Sequence, residues 1–184
     1  MNRCLGIVLG CLVTTCGVLN AADLNVGDDA PKFAVSQFVK GTPVKELYQG
    51  QIYVIEFWAT WCGPCIENIP KITAMQKKYG NRVTFIGVSV FERDQTKVVP
   101  FVKKMGDKMN YRVAMDQVPN NEAGKGHMAT NWLRAAGKNG IPCAFIVNKE
   151  GKVAWIGHPA RMEKALANVV AGLPAGNDVP SNPK

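Results

Sequence analysis

Two cysteines separated by two residues carry the most distinctive chemistry in this chain. Cys62 and Cys65 enclose a Gly-Pro dipeptide, and they follow residues 52–58, an apolar run rich in β-branched and aromatic side chains. Such a run predicts a strand that is buried on both faces. Beyond Cys65 the apolar residues recur at helical spacing, so the pair is expected where a strand passes into a helix.

The start of a helix is a favourable place for a reactive thiol. Its free backbone N–H groups and its dipole stabilise an anion, and the thiolate is the nucleophilic form of cysteine. We therefore expect a lowered thiol pKa at Cys62. Cys65, about one turn further along, would be close enough to form a disulfide with it, and Pro64 suits the first turn, where no N–H is needed. The pair thus predicts thiol–disulfide exchange.

A metal site is an alternative use of such a pair. Zinc sites built on Cys-x-x-Cys need further ligands, and the chain has no second pair and only two histidines, His127 and His158. Both are expected at the surface or in loops rather than in catalysis. We therefore predict no metal and no other cofactor; a non-catalytic module that handles copper or haem with the two cysteines is the alternative.

The composition predicts one folded domain. Of the 184 residues, 47% are apolar and 20% are charged, which is typical of a chain with a real core. The net charge of +8 comes from scattered basic residues without interleaved aromatic side chains. A solvated basic surface is therefore favoured over nucleic-acid binding.

Residues 1–22 have the features of a secretory signal peptide. Arg3 supplies a positive start, residues 5–19 are apolar, and Ala21-Ala22 offer a cleavage site. The apolar stretch is short for a membrane span of about 20 residues. An uncleaved anchor or a lipid-modified cysteine in this leader is the alternative. The sequence thus predicts export, to a bacterial periplasm.

Export affects how the cysteines are interpreted. Three of the six lie in the leader, which leaves Cys62, Cys65 and Cys143. One closely spaced pair is too little for a disulfide-stapled scaffold, so the pair is better explained as a working dithiol. Cys143 is either a third redox thiol or a small buried residue, and we favour the second because free cysteines are often buried and inert.

The remaining pattern predicts a three-layer α/β fold with parallel middle strands and an antiparallel last pair. The cysteine pair would lie at the carboxyl end of a central strand, where such sheets place their sites. Residues 23–173 form the predicted domain, and residues 174–184, rich in Pro, Gly, Asn and Ser, are expected to be disordered. Besides 52–58, strands are predicted at 33–38, 83–91, 111–115, 143–148 and 153–157, and helices after Cys65, from Pro100, at 127–136 and after Pro159.

Glu56 stands inside the otherwise apolar central strand, six positions before Cys62. Burial disfavours a charged carboxylate and raises its pKa. Such a group can accept the proton of Cys65 when that thiol attacks a mixed disulfide. A solvated glutamate at the edge of a strand is the alternative.

Residues 58–65, Trp-Ala-Thr-Trp-Cys-Gly-Pro-Cys, closely resemble the active-site motif of the thioredoxin superfamily. Within it, residues 26–33 and the long segment 89–140 are similar to those of the exported TlpA/ResA-like thiol–disulfide oxidoreductases. The resemblance covers about residues 25–173. It implies a thioredoxin-like three-layer α/β sandwich with an N-terminal strand extension and a central insertion.

The resemblance also implies a substrate groove. Pro142 would be a cis-proline packed against the cysteine pair, and the backbone of Ile141 would pair with an extended substrate segment. A plain structural turn is the alternative for these two residues. Trp61, Gly63 and Pro64 would border the same groove.

The resemblance supports the role of Glu56, which matches the buried acid of thioredoxin. The TlpA/ResA-like proteins more often carry an acid three residues after the second cysteine, where this chain has Asn68. The neighbouring Glu67 is expected at the surface.

The predicted function is that of an exported thiol–disulfide oxidoreductase, in the direction of a reductase. Members of the subgroup often keep cytochrome c or other metalloprotein thiols reduced, which implies protein thiols or disulfides as substrates and a membrane electron donor. The Gly-Pro dipeptide resembles thioredoxin and favours reduction. An oxidase or isomerase on the same fold and a thiol peroxidase of the related peroxiredoxin group are alternatives. We expect a monomer.

Overall fold

The computed structural model describes residues 23–176. The predicted signal peptide, residues 1–22, lies outside the described residues, as do residues 177–184 of the predicted tail. The first three residues of that tail are described, and the Asn168 side chain donates to the backbone carbonyl of Ala175 over 3.4 Å.

Six strands form one mixed sheet in the order β1-β4-β3-β2-β5-β6. β2, β3 and β4 are parallel, whereas β1 is antiparallel to β4, and β5 is antiparallel to both β2 and β6. This confirms the predicted α/β class and the N-terminal strand extension. The strands are β1 Val35–Lys40, β2 Ile52–Trp58, β3 Val83–Ser89, β4 Arg112–Asp116, β5 Cys143–Val147 and β6 Val153–Gly157.

Helices pack on both faces of the sheet. Side chains of three α-helices share one core cluster, and those of a π-helical segment, Ala129–Arg134, share the other. Alternate side chains of β2 enter the two clusters, as the two-residue period of a strand requires. Every residue of β2 is therefore buried. The α-helices are α1 Gly63–Tyr79, α2 Val98–Met105 and α3 Met162–Val170.

The helix after the cysteines begins as predicted. Cys62 is its N-cap residue, Pro64 lies in its first turn, and Gly80 at φ +55° follows its last residue. Pro70 is exposed and lies inside α1, which continues to Tyr79.

Several elements differ from their predicted extent. The strand expected at 33–38 lies at Val35–Lys40, and α2 begins at Val98 rather than at Pro100. The strand expected over 83–91 ends at Ser89, and Phe91 has a φ of +56°, which no strand residue adopts. The helix expected at 127–136 is π-helical at its centre. Its start is held to the sheet because the Asp116 carboxylate accepts the N–H groups of Met128 and Ala129 over 2.8 and 3.0 Å.

Candidate active site

The cysteine pair lies where β2 passes into α1. Cys62 and Cys65 form a disulfide with an S–S distance of 2.04 Å and Cα atoms 5.2 Å apart. The Cys65 N–H group donates to the Cys62 sulfur over 3.3 Å. The Cys62 sulfur thus takes the place of the N-cap acceptor, where backbone N–H groups and the helix dipole stabilise a thiolate after reduction.

The two sulfur-bearing residues differ in accessibility. Cys65 is fully buried and Cys62 is 4% exposed, so the opening at the disulfide is narrow. The residues beside it, Trp61, Gly63 and Pro64, are all exposed. An incoming group can therefore approach Cys62 but not Cys65.

The loop before β5 lies beside Cys62. The Ile141–Pro142 peptide bond is cis, both residues are half-buried, and the Ile141 carbonyl oxygen is 3.9 Å from the Cys62 sulfur. A disulfide sulfur has no proton to donate, so this is a contact rather than a hydrogen bond. The pairing of β5 with β2, with Cys143 opposite Phe57, brings this loop to the active-site end of the sheet.

Glu56 is buried in the centre of the sheet rather than at its edge. It is 1% exposed and stands opposite Gly87 of β3 and Ala144 of β5. Neither carboxyl oxygen has a hydrogen-bond partner within residues 23–176. Burial raises the pKa of Glu56 to about 8, so the carboxyl can hold a proton near neutral pH.

Two further buried polar groups gather around Glu56 and were missed by the sequence reasoning. A methyl group placed on Gly87 would lie 3.3 Å from Glu56 Oε2, 3.2 Å from Trp58 Nε1 and 2.9 Å from a ring carbon of Tyr111. The Trp58 N–H and the Tyr111 hydroxyl also have no partner in the described part of the chain. Burial, and to a smaller extent the charge of Glu56, raises the pKa of Tyr111. No local signal in the sequence marks this juxtaposition.

Asn68 occupies the position at which the TlpA/ResA-like proteins more often carry an acid. It is buried, and its amide donates to the Pro64 carbonyl within α1 over 2.8 Å. Glu67 is exposed. Glu56 is therefore the buried carboxyl that this chain places in the strand leading to the disulfide.

Cys143 lies on the other face of the sheet from the disulfide. It belongs to the core cluster of Phe57, Phe145 and Trp132, whereas Cys62 and Cys65 belong to the opposite cluster. Burial raises the pKa of its thiol to about 12. Such a thiol is protonated near neutral pH, which favours a structural residue.

His127 begins the helical segment that continues into Ala129–Arg134, His158 lies in a loop, and both contact backbone groups. His127 Nε2 is 3.3 Å from the Lys32 carbonyl oxygen, and His158 Nδ1 accepts the Ala160 N–H over 3.2 Å. Among residues 23–176 no group of three or more His, Cys, Asp and Glu side chains is arranged to hold a metal ion. In the same range no helix has the length and apolar character needed to cross a membrane.

Sequence reasoning also missed Glu92. Glu92 is buried, and its carboxylate accepts three hydrogen bonds, two from Thr60 and one from Ser89. Thr60 stands two residues before Cys62. A glutamate that follows a strand is usually solvent-exposed, so no local pattern in the sequence predicts the burial of Glu92.

Comparison with known proteins shows the family. The sequence profile of the Redoxin family matches residues 25–173. The chain is 30% identical over 159 residues to Protein FixW of Rhizobium leguminosarum, covering 83% of this chain and 69% of FixW. It is 30% identical over 132 residues to the thiol-disulfide oxidoreductase ResA of Bacillus thuringiensis, covering 71% of this chain and 68% of ResA.

A solved structure agrees with these relatives. The thiol:disulfide interchange protein of the thioredoxin family from Chlorobium tepidum is 26% identical, with a TM-score of 0.54 over 84% of this chain and 100% of that protein. The fold, the dithiol at the end of β2 and the sequence relatives agree. The chain belongs to the Redoxin family, and within the thioredoxin superfamily it is a TlpA/ResA-like thiol–disulfide oxidoreductase.

Proposed function

We propose that this protein is an exported reductase of protein disulfides in which Cys62 attacks and Cys65 resolves. The observation that carries the proposal is the difference between the two cysteines. Cys62 caps a helix N-terminus beside exposed residues, and Cys65 is fully buried at bonding distance from it. The Cys62 sulfur can react with a partner protein, whereas the buried Cys65 sulfur is held next to it to resolve the mixed disulfide.

The reaction takes two exchange steps. The Cys62 thiolate attacks one sulfur of a partner disulfide, which forms a mixed disulfide and releases the other partner sulfur as a thiolate. The Cys65 thiol then gives its proton to Glu56, and its thiolate attacks the Cys62 sulfur. The second partner sulfur leaves, the Cys62–Cys65 disulfide forms, and two electrons have passed to the partner.

Glu56 suits the role of proton acceptor because its carboxyl is buried beside the active-site face and its pKa is raised to about 8. A base with a pKa near the working pH combines a useful population of the basic form with enough basicity to take a proton. In the oxidised protein this group would be protonated at neutral pH.

The partner is proposed to dock over Cys62 in an extended conformation. Trp61, Gly63 and Pro64 are exposed in the segment around Cys62, and the Ile141 carbonyl oxygen is 3.9 Å from the Cys62 sulfur. Backbone groups of Ile141 would pair with the partner chain as an added strand does. A protein thiol or disulfide, rather than a small molecule, fits such a contact; cytochrome c or another metalloprotein is the proposed class.

The reducing direction, the location and the assembly belong to the same proposal. The Gly-Pro dipeptide between the cysteines favours reduction, and each turnover then consumes two electrons, which a membrane donor would restore. The features of residues 1–22 support export to a periplasm, with that leader cleaved or kept as a tether. Residues 23–173 would act as one monomeric domain.

The reduction potential tests the direction. We expect equilibration with glutathione to give a potential more negative than that of the glutathione pool, about −240 mV. The reduced protein should also reduce insulin disulfides. A potential above about −180 mV, in the range of protein disulfide isomerase, would instead favour an oxidase or isomerase.

A further inference from the structure

Glu92 is a buried carboxylate that the proposed mechanism does not use. It is 5% exposed, and its oxygens accept the Thr60 N–H over 2.7 Å, the Thr60 hydroxyl over 2.8 Å and the Ser89 hydroxyl over 2.8 Å. None of the three ion pairs found within residues 23–176 involves it. Burying a carboxylate without a cation is costly, and three charge-assisted hydrogen bonds offset that cost.

Phe91, the residue before Glu92, holds Trp61, the residue after Thr60 in the active-site loop. The Phe91 carbonyl accepts the Trp61 indole N–H over 3.1 Å. Phe91 has a φ of +56°, a conformation that a bulky residue adopts only where its surroundings fix it and that is enriched at functional sites. Phe91 and Glu92, two consecutive residues, therefore hold Trp61 and Thr60, two consecutive residues. We call this arrangement the 91–92 clasp.

The clasp acts on the most exposed aromatic side chain beside the disulfide. Trp61 is 56% exposed and directly precedes Cys62. An exposed indole is free to change rotamer unless a bond fixes it, and freezing it on docking would weaken binding. With its N–H held by Phe91 and its backbone held through Thr60, the ring is fixed before a partner arrives.

We propose that Glu92 is a positioning residue that fixes Trp61 as a docking platform, so that the clasp sets the preference for protein disulfides over small ones. The proposal rests on the proposed function of the Cys62 surface. A protein substrate covers the ring and uses the fixed platform. A small disulfide reaches Cys62 without covering Trp61, so its reaction is insensitive to the clasp.

The test compares two disulfides with the reduced protein: insulin and 5,5′-dithiobis(2-nitrobenzoate). For Glu92→Ala we expect kcat/KM on insulin to fall about tenfold, the factor that corresponds to one hydrogen bond to a charged group, mainly through KM. The rate with the small disulfide should change less than about twofold. Glu92→Gln keeps an acceptor for the Thr60 N–H and should restore insulin reduction to within about threefold of wild type.

Ser89→Ala is the matched control. It removes a hydrogen bond from the same buried carboxylate, but that bond does not tie the active-site loop. It should leave the ratio of the two rates unchanged. Unfolding temperatures identify variants that are destabilised; if Glu92→Ala does not fold, Thr60→Val replaces it and should lower the ratio about threefold, since it removes one donor and keeps the shape.

A second readout does not depend on activity. Hydrogen exchange of the Trp61 indole N–H, followed by nuclear magnetic resonance, should be about tenfold faster in Glu92→Ala than in Ser89→Ala or wild type. An unchanged exchange rate, an unchanged ratio, or an equal fall with both disulfides would overturn the proposal. Failure of the wild-type protein to reduce insulin would count against the proposed function, while the exchange rate would still decide on the clasp.

Discussion

The Cys65 N–H group donates a hydrogen bond to the Cys62 sulfur over 3.3 Å, across the first turn of α1. The acceptor at this position is normally the oxygen of a Ser, Thr, Asp or Asn side chain. Here it is the sulfur that reacts. The same bond that caps the helix therefore stabilises the Cys62 thiolate after reduction.

This relationship predicts a lowered thiol pKa at Cys62. In the reduced protein the rate of alkylation by iodoacetamide, measured against pH, should give a pKa for Cys62 below the ordinary value of a free thiol. Cys65 should not be alkylated in the folded protein, because it is fully buried. A Cys62 profile that matches an unperturbed thiol would contradict the role of the helix N-terminus.

Glu56 predicts the pH dependence of the resolving step. Its pKa is raised to about 8 by burial, so the basic form increases as the pH rises through that value, and the rate of resolution should rise with it. Glu56→Gln should slow resolution by at least about tenfold at pH 8 and remove this rise. Rapid-mixing measurement of the mixed disulfide gives the rate. Equal rates and equal profiles in the two proteins would exclude Glu56 from the proton transfer.

The raised pKa of Glu56 also predicts that the stability of the folded protein depends on pH. Its pKa rises from 4.5 to about 8 on folding, so the folded protein binds the proton more tightly, and the stability that this supplies is full below pH 4.5 and is lost as the pH rises through 8. Glu56→Gln has no such loss. The free energy of unfolding of Glu56→Gln minus that of wild type should therefore increase with pH. The increase should be on the order of 4 kcal/mol between pH 4 and 9.

Urea unfolding of the oxidised proteins across this pH range measures that difference. Glu67→Gln is a suitable control, because Glu67 is exposed on α1 and its replacement should leave the pH dependence unchanged. Parallel stability curves for wild type and Glu56→Gln would show that Glu56 is ionised and solvated in the folded protein.

Cys143 is predicted to take no part in the redox reaction. It lies on the opposite face of the sheet from the disulfide, and burial raises its pKa to about 12. The Cys143→Ala variant should therefore reduce insulin at the wild-type rate. Its free energy of unfolding should be about 1 kcal/mol lower than that of wild type, because the side chain is smaller. Labelling of Cys143 in the folded, reduced wild-type protein within the time of the assay would contradict this.

The parts of the site that follow each other in the chain were predictable from sequence. The run of apolar residues in β2, the two cysteines and the helical spacing beyond them lie within one segment, and their local patterns agree with the fold. Glu56 was also identifiable, because a lone acid in a buried strand conflicts with its surroundings.

The parts that depend on packing between distant segments were not predictable. Glu92 meets Thr60 across 32 positions of sequence. Tyr111 and Glu56 both border the space that Gly87 leaves open by having no side chain. The π-helical segment likewise depends on Asp116, which binds its first N–H groups from the end of β4. Such contacts leave no periodic signal in the sequence.

The division of labour between the two cysteines is the central claim, and covalent trapping tests it most directly. Reduced Cys65→Ala and Cys62→Ala variants are each mixed with insulin, and the covalent adducts are separated without reductant and mapped. We predict that Cys65→Ala accumulates a mixed disulfide through Cys62, because the resolving thiol is missing, and that Cys62→Ala forms none. Adducts through Cys65 in the Cys62→Ala variant, or no adduct in either variant, would contradict the account.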